Sequence, residues 1–154
     1  MSDLTLREAK AQLFTEAKSG GADCPCCLQF TKIYRRIITS AMAADLILAY
    51  RTAGVGASFH YPDLPQQRAK GGDFAKLRYW QLIEEDTSAE PLEGARFNGH
   101  WRITSEGYAF LAARLIVPKH AIVYDGHLWG LEGPDIDIVD ALNSKFNYRQ
   151  LMDD

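Results

Sequence analysis

The chain has 154 residues, of which 47% are hydrophobic and 24% charged, and its formal net charge is −3 at pH 7. This length suits one domain with a small appendage, and the balance is that of a globular protein rather than a disordered or fibrous one. No apolar run reaches the roughly 18 residues that a bilayer-spanning helix needs. The first ten residues also lack the basic head and apolar core of a secretory signal. We therefore expect a cytoplasmic protein without a membrane partner.

The charges are unevenly distributed along the chain. Between Leu28 and Leu82 eight basic residues stand against three acids, whereas between Asp125 and Asp154 seven acids stand against two bases. A basic middle with an acidic tail suits a DNA-binding surface and a separate acidic appendage. Unselected variation of a small protein surface is the alternative explanation.

Hydrophobic spacing predicts three helices in the first third of the chain, over residues 4–18, 29–38 and 41–53. Thr5 and Glu8 have the spacing of a capping box for the first, and Thr39 with Ser40 provides a cap for the third. A short irregular link that contains the cysteines joins the first two. We expect domain boundaries after residues 27 and 116, giving an N-terminal helix and link (1–27), a core (28–116) and a C-terminal hairpin with helix (117–154) that packs with the core.

The middle of the chain predicts an extended piece at residues 59–62, a short helix over 64–70, and a helix over 74–81 capped by Asp73. On that last helix Phe74, Leu77 and Trp80 are expected inward, and Ala75, Lys76, Arg78 and Tyr79 outward or at the flank. A strand follows through Leu82-Ile83, then a charged loop over 84–99, a returning strand through Trp101-Arg102-Ile103, and a helix over 104–114 capped by Thr104.

The C-terminal third predicts a hairpin over residues 117–131 that turns at Asp125-Gly126, followed by a helix after Pro134. Ile138, Leu142 and Phe146 share the apolar face expected for that helix. Trp80, Trp101 and Trp129 are interpreted as anchors of the core and sheet. The fold class is therefore α+β.

The order helix, strand, hairpin loop, strand, helix in the middle third resembles winged helix-turn-helix regulators. The residues that carry this resemblance are apolar positions around the strands and a Leu-Thr-x-x-Gly-like element that opens the closing helix: Leu77, Leu82, Ile83, Ile103, Thr104, Gly107 and Phe110. Gln81 departs from the pattern, because such proteins often carry glycine there. The resemblance implies a winged-helix core over about residues 28–116.

A broader resemblance runs from Cys24 to Met152. The CPxC-type knuckle, the GGDFAKLRYWQLIE helix, the WRIT-x-x-G element, the VPKHAIVYDG-like hairpin and the DALNSKFNYRQLM segment are similar to a family of small proteins encoded by bacteriophages, prophages and bacteria. That family has no known activity, so the resemblance implies a phage-related origin and nothing about mechanism.

DNA binding needs hydrogen-bond donors on an exposed surface, because base edges and phosphates are mostly acceptors. The predicted helices and the wing offer such donors, which we take as the candidate DNA-binding residues: Lys32, Arg35, Arg36, Lys76, Arg78, Tyr79, Arg96 and Arg102. His100 is a further wing candidate. For each of these groups a solvated surface without a ligand is the alternative.

The cysteine cluster is the other chemically suggestive feature. Cys24-x-x-Cys27 has half the spacing of a zinc knuckle, and His60 and Cys26 are the candidates for a further ligand. Because the chain has no second cysteine pair, we expect ordinary thiols and no cofactor. Zinc is the first alternative and a thiol redox role is the second.

No nucleotide-binding, nucleophile-elbow or HExxH motif is present, so we expect no enzymatic activity. The predicted function is non-catalytic, regulatory binding of double-stranded DNA, as in transcription regulation. The alternative is a winged-helix protein-interaction module, such as a small inhibitor of a host enzyme, with the acidic tail as its working surface. A homodimer is compatible with either function.

Overall fold

The computed structural model describes residues 4–18, 20–91 and 93–153. The helices are α1 (Leu6–Lys18), α2 (Ser40–Ala53), α3 (Gly71–Phe74), α4 (Ser105–Leu111), α5 (Ile138–Leu142) and α6 (Tyr148–Asp153). The strands are β1 (Ala22–Asp23), β2 (Phe30–Thr31), β3 (Tyr34–Ile37), β4 (Phe59–His60), β5 (Ile83–Glu85), β6 (His100–Ile103), β7 (Val117–Tyr124) and β8 (His127–Ile136). Short 3-10 helices span Tyr61–Asp63 and Ala75–Trp80.

Among the described residues helix accounts for 39% and strand for 24%, which confirms the α+β class. The chain forms two compact units. The first contains Met1–Ile37 and His120–Glu132, and the second contains Ile38–Lys119 and Gly133–Asp154. In the part of the chain that the structure describes, no helix combines the length and the hydrophobicity needed to cross a membrane.

The first unit contains a small apolar cluster to which α1 contributes two residues. Ala17, Ile33 and Ile122 form its buried centre, and Phe14 and Tyr124 pack around them. The sheet beside it has the order β3-β7-β8, and β3 pairs antiparallel with β7. The predicted helix over residues 4–18 is confirmed, with Leu6 as its first helical residue.

The predicted helix over residues 29–38 is wrong, because this segment forms β2 and β3 instead. Its apolar residues fit a helical period, but β3 gains a partner far along the chain. Tyr34 lies opposite Val123, and Ile37 lies opposite His120. Phe, Thr, Ile and Tyr side chains also favour a pleated strand, so the tertiary pairing agrees with local propensity.

The second unit is centred on α2, which contacts α4, α5 and α6. Its buried side chains include Met42, Leu46 and Ile47. The prediction over residues 41–53 is confirmed to within one residue. The predicted cap is also confirmed, because the Thr39 side chain accepts a hydrogen bond of 3.2 Å from the backbone N–H of Met42.

Two predictions in the middle of this unit need correction. The helix predicted over residues 64–70 is absent from this described segment, where the 3-10 helix Tyr61–Asp63 comes earlier. The helix predicted over 74–81 is instead α3 followed by the 3-10 helix Ala75–Trp80. Asp73 lies inside α3 rather than capping it, and Lys70 is the capping residue.

The C-terminal hairpin is confirmed, with β7 and β8 joined at Asp125 and Gly126, whose φ angles are +50° and +74°. Positive φ at both central residues is the geometry of a tight hairpin turn, which Asp-Gly adopts readily. The single predicted last helix is two short ones, α5 and α6. Asn143 ends α5 in the left-handed conformation, and Phe146 lies between them.

Candidate nucleic-acid interface

The candidate interface lies in the second unit, where a helical segment leads into a β-hairpin. Gln81 ends the 3-10 helix in the left-handed conformation (φ +60°) and turns the chain into β5. β5 pairs antiparallel with β6, and β4 pairs with the other edge of β6. The sheet order is therefore β4-β6-β5. The loop between β5 and β6, residues 86–99, is called the wing loop below.

The element after the hairpin explains the Thr-x-x-Gly spacing. The Thr104 hydroxyl accepts a 2.9 Å hydrogen bond from the backbone N–H of Gly107 and so caps α4. A Cβ placed at Gly107 would lie 2.0 Å from the carbonyl oxygen of Leu82. Glycine is required there because α4 approaches the backbone at the entry to β5. The other apolar residues of the motif are buried.

A cleft of about 310 Å³ separates the start of α3 from the base of the wing loop. Its lining includes Gly71, Gly72 and Ala75 of the helical segment, and Arg96 and Phe97 of the wing loop. Lys70, immediately before α3, is exposed, as is Arg96. The helical segment and the wing thus each present an exposed basic side chain.

Lys76 and Arg78, predicted on the outer face of the helix, are both half-buried and bonded within the unit. Lys76 Nζ lies 2.8 Å from Asp73 Oδ1. The Arg78 guanidinium donates to the carbonyl of Ala75 at 2.8 Å and to the Tyr79 hydroxyl at 3.0 Å. Burial lowers the pKa of Arg78, which is consistent with a cation packed between rings.

The predicted outward positions of Ala75 and Tyr79 are wrong, because both are buried. A 3-10 helix has three residues per turn, so its inward face differs from that of the α-helix we predicted. Trp80 and Trp101 are buried as predicted, and the Trp80 indole N–H donates to Pro118 at 2.7 Å. Trp129, in contrast, is 54% exposed.

Arg102, another candidate on the wing, is held in place by two acidic side chains. Arg102 Nη2 lies 3.0 Å from Asp86 Oδ1, and its Nη1 lies 3.9 Å from Glu84 Oε1. Asp86 is itself buried, and hydrogen bonds from Ser58 and Ser88 lower its pKa, with a further contribution from Arg102. This cluster fixes the start of the wing loop.

The other basic candidates, Lys32, Arg35 and Arg36, lie in the first unit on and beside β3. Lys32 Nζ lies 5.1 Å and Arg36 Cζ lies 4.6 Å from the centre of the Tyr34 ring. Arg35 is 3.6 Å from Glu132. Lys32 and Arg36 therefore flank an exposed aromatic ring and Arg35 lies beside Glu132, so the three do not follow one face of a helix.

The candidate metal ligands occupy separate units, with the cysteines in the first and His60 in the second. His60 Nδ1 lies 3.1 Å from Asp63 Oδ2, and its ring stacks on His100 with centroids 4.4 Å apart. Among residues 4–18, 20–91 and 93–153, no three His, Cys, Asp or Glu side chains form a group that could hold a metal ion. Cys24, Cys27 and His60 are thus not assembled into one site.

Comparisons with protein-family models, with curated proteins and with solved structures find no match to this chain.

Sequence reasoning missed one buried polar centre near the cleft. Asp45 is fully buried on α2 and accepts the Tyr61 hydroxyl at 2.6 Å. It also accepts the backbone N–H groups of Arg68 and Ala69, at 2.9 and 2.8 Å. Burial and the bond to Asp45 raise the pKa of Tyr61. The available signal was a lone carboxylate within an apolar helix, because a buried charge requires several donors.

Proposed function

We propose that the protein is a non-catalytic, regulatory DNA-binding protein whose second unit binds double-stranded DNA as a winged helix does. The observation that carries the proposal is the β4-β6-β5 sheet, entered from a helical segment and closed by α4. The 3-10 helix, β5, the wing loop, β6 and α4 follow one another in the order helix, strand, hairpin loop, strand, helix that the winged-helix resemblance implies. In keeping with the phage-like sequence resemblance, we propose transcription regulation as the biological role.

The cleft between α3 and the wing loop determines which residues we assign to the phosphates. Arg96 lines the cleft and Lys70 directly precedes the cleft residue Gly71, and both basic side chains are exposed. Lys76 adds a third cation, since an ammonium group that bonds one carboxylate keeps donors for a phosphate oxygen. Arg78 and Arg102 hold the helical segment and the wing in position, because both are bonded within the unit.

The test is the binding of a fluorescently labelled DNA duplex of mixed sequence, followed by anisotropy over a range of salt concentrations. Phosphate contacts release counterions, so the affinity of the wild type should fall steeply as salt rises. Lys70→Ala/Arg96→Ala should weaken binding to every duplex sequence and lower the salt slope by about 2, because each lost contact removes about one unit.

The matched control is Lys145→Ala/Arg149→Ala, which removes the same charge from two exposed positions in the C-terminal segment. It should leave both the affinity and the salt slope near the wild-type values. The proposal would be contradicted if the wild type bound no duplex at low salt. It would also be contradicted if the two double variants lost affinity to the same extent.

The alternative is the protein-interaction module, and exposed apolar side chains on β8 in the first unit favour it. Leu128, Trp129 and Leu131 are all exposed, and Trp129 also packs on Phe14 of α1 with ring centroids 5.5 Å apart. Exposed apolar side chains grouped on one strand are typical of a protein-binding surface. An inhibitor of a host enzyme should slow the growth of a bacterial host that expresses it. If the protein is such an inhibitor, Trp129→Ser should abolish the effect on growth and Lys70→Ala/Arg96→Ala should not. If it is a DNA-binding regulator, Lys70→Ala/Arg96→Ala should abolish the effect and Trp129→Ser should not.

A further inference from the structure

The cysteines of the first unit lie in a tight hairpin loop between β1 and β2. Ala22 pairs with Thr31 and Asp23 with Phe30. The loop is closed by two backbone hydrogen bonds of 2.8 Å, from Cys24 N–H to the Gln29 carbonyl and from Leu28 N–H to the Cys24 carbonyl. The hairpin therefore fixes the backbone on both sides of the Cys24-Pro25-Cys26-Cys27 sequence.

The loop turns at Leu28, whose φ angle is +65°. A left-handed conformation is costly for leucine, and it reverses the chain immediately after Cys27. Cys24 and Cys27 consequently line the same cleft in this unit, together with Lys10. The reversal thus brings together the two cysteines whose Cys-x-x-Cys spacing is typical of zinc knuckles.

Two thiolates are half of a tetrahedral zinc site. Among the residues that the structure describes, no group of three or more ligands completes it within one chain. The tip of the hairpin also exposes the large apolar side chains of Leu28 and Phe30, which are 77% and 61% accessible. The same loop thus has both an incomplete ligand set and an uncovered apolar surface.

We propose that Cys24 and Cys27 from two copies of the chain bind one Zn²⁺ between them, with the two hairpin tips in contact. A two-fold axis through the metal presents the same loop from both copies, so the contact is self-complementary. Each of the four thiols releases its proton to water and donates a sulfur lone pair to the Zn²⁺, and neither sulfur nor zinc changes oxidation state. Leu28 and Phe30 of each copy would be covered by the partner's hairpin. This inference is independent of DNA binding.

The experiment measures zinc content and molar mass on full-length protein purified without a metal-affinity step. Elemental analysis should give one zinc per two chains, and light scattering should give the mass of a dimer. Removal of zinc with a strong chelator should yield a folded monomer, and added ZnCl₂ should restore the dimer. Zinc-free dimer, or a monomer with one zinc per chain, would overturn the proposal.

Cys24→Ser and Cys27→Ser should each abolish zinc binding and dimer formation. Cys26→Ser is the matched control, because Cys26 lies in the same loop but does not line the cleft with the other two cysteines. Cys26→Ser should keep both zinc binding and dimer formation. Loss of either property in this variant would show that the ligands have been assigned wrongly. Cobalt-substituted wild-type protein provides a second measurement that needs no substitution. Its absorption should be that of a tetrahedral centre with four thiolates, and a spectrum with mixed oxygen and sulfur ligands would contradict the shared site.

Discussion

The guanidinium carbon of Arg78 lies 4.5 Å from the centre of the Phe97 ring, so the 3-10 helix and the wing loop meet through this pair. The same cation lies 4.3 Å from the Tyr79 ring. Arg78 thus joins two elements that any winged-helix surface would have to hold in a fixed geometry.

Replacing Arg78 with Ala should therefore reduce stability and not only charge. Loss of the cation–π contacts and of the bonds to Ala75 and Tyr79 should lower the free energy of unfolding by about 1–3 kcal/mol. Urea denaturation measures this change. Arg149→Ala, at an exposed site with the same loss of charge, should shift it by less than about 0.5 kcal/mol. Equal stabilities for the two variants would show that the Arg78 contacts contribute nothing.

Gln81→Gly should stabilise the protein. Gln81 is exposed and has a φ of +60°, a conformation that costs a residue with a side chain about 1–2 kcal/mol. Glycine removes this strain but loses more entropy on folding, so we expect a net gain of about 0.5–1 kcal/mol. Gln150→Gly, inside α6, should have the opposite sign because glycine is unfavourable within a helix. Thermal unfolding of both variants tests the prediction, which a destabilised Gln81→Gly would refute.

The buried centre at Asp45 should respond unequally to two substitutions. Asp45→Ala leaves the backbone N–H groups of Arg68 and Ala69 without their acceptor, each at a cost of about 1–3 kcal/mol, whereas the Tyr61 hydroxyl keeps the Ala69 carbonyl as an acceptor. Tyr61→Phe removes one donor and keeps the other two, so it should cost much less. Chemical denaturation should rank wild type, Tyr61→Phe and Asp45→Ala in that order. Equal losses would mean that the backbone bonds to Asp45 contribute little.

Asp86 should make stability depend on acid pH. Its pKa is lower in the folded protein than in the unfolded chain, chiefly because of the hydrogen bond from Ser58. The resulting stability is complete above the unfolded pKa of about 4 and is lost as the pH falls through the folded value. Asp86→Asn should therefore be less stable than the wild type at neutral pH, with a difference that shrinks as the pH falls below 4.

Unfolding monitored between neutral pH and the acid limb measures this difference. Asp135→Asn, at an exposed position on β8, should follow the wild-type curve throughout. A difference between Asp86→Asn and the wild type that stays constant with pH would assign the effect to packing rather than to ionisation.

Local signals explain which elements could be predicted from the sequence. The Asp125-Gly126 dipeptide favours a hairpin turn by its local conformational preference. The Thr39 and Thr104 hydroxyls accept hydrogen bonds from backbone N–H groups three residues later in the sequence. The closing glycine of the Thr-x-x-Gly element, Gly107, has a structural explanation in its approach to Leu82. The turn and the two caps depend on neighbours in the sequence, and a single chain displays them, whereas the approach of Gly107 to Leu82 is seen only in the fold.

The errors came where distant contacts decide the outcome. The segment around Tyr34 has helical spacing as well as strand composition, and only its pairing with Val123 selects the strand. Asp45 obtains its acceptor role from loop residues Arg68 and Ala69, which no periodicity connects to it. The basic residues could be identified from the sequence. Their bonding partners within the unit, such as Asp73 for Lys76, could not, because the segment Ala75–Trp80 was predicted as an α-helix and is a 3-10 helix.

The division of the chain has a consequence for how it is made. Each unit combines an early segment with a later one, since the first takes residues 1–37 with 120–132 and the second takes 38–119 with 133–154. During synthesis from the N-terminus, the first 37 residues must wait for β7 and β8 to leave the ribosome before their sheet can close. The α2 unit must wait still longer, for α5 and α6. Folding of either unit therefore requires residues beyond 119, and a ribosome that stalls before residue 120 holds a chain in which neither is complete.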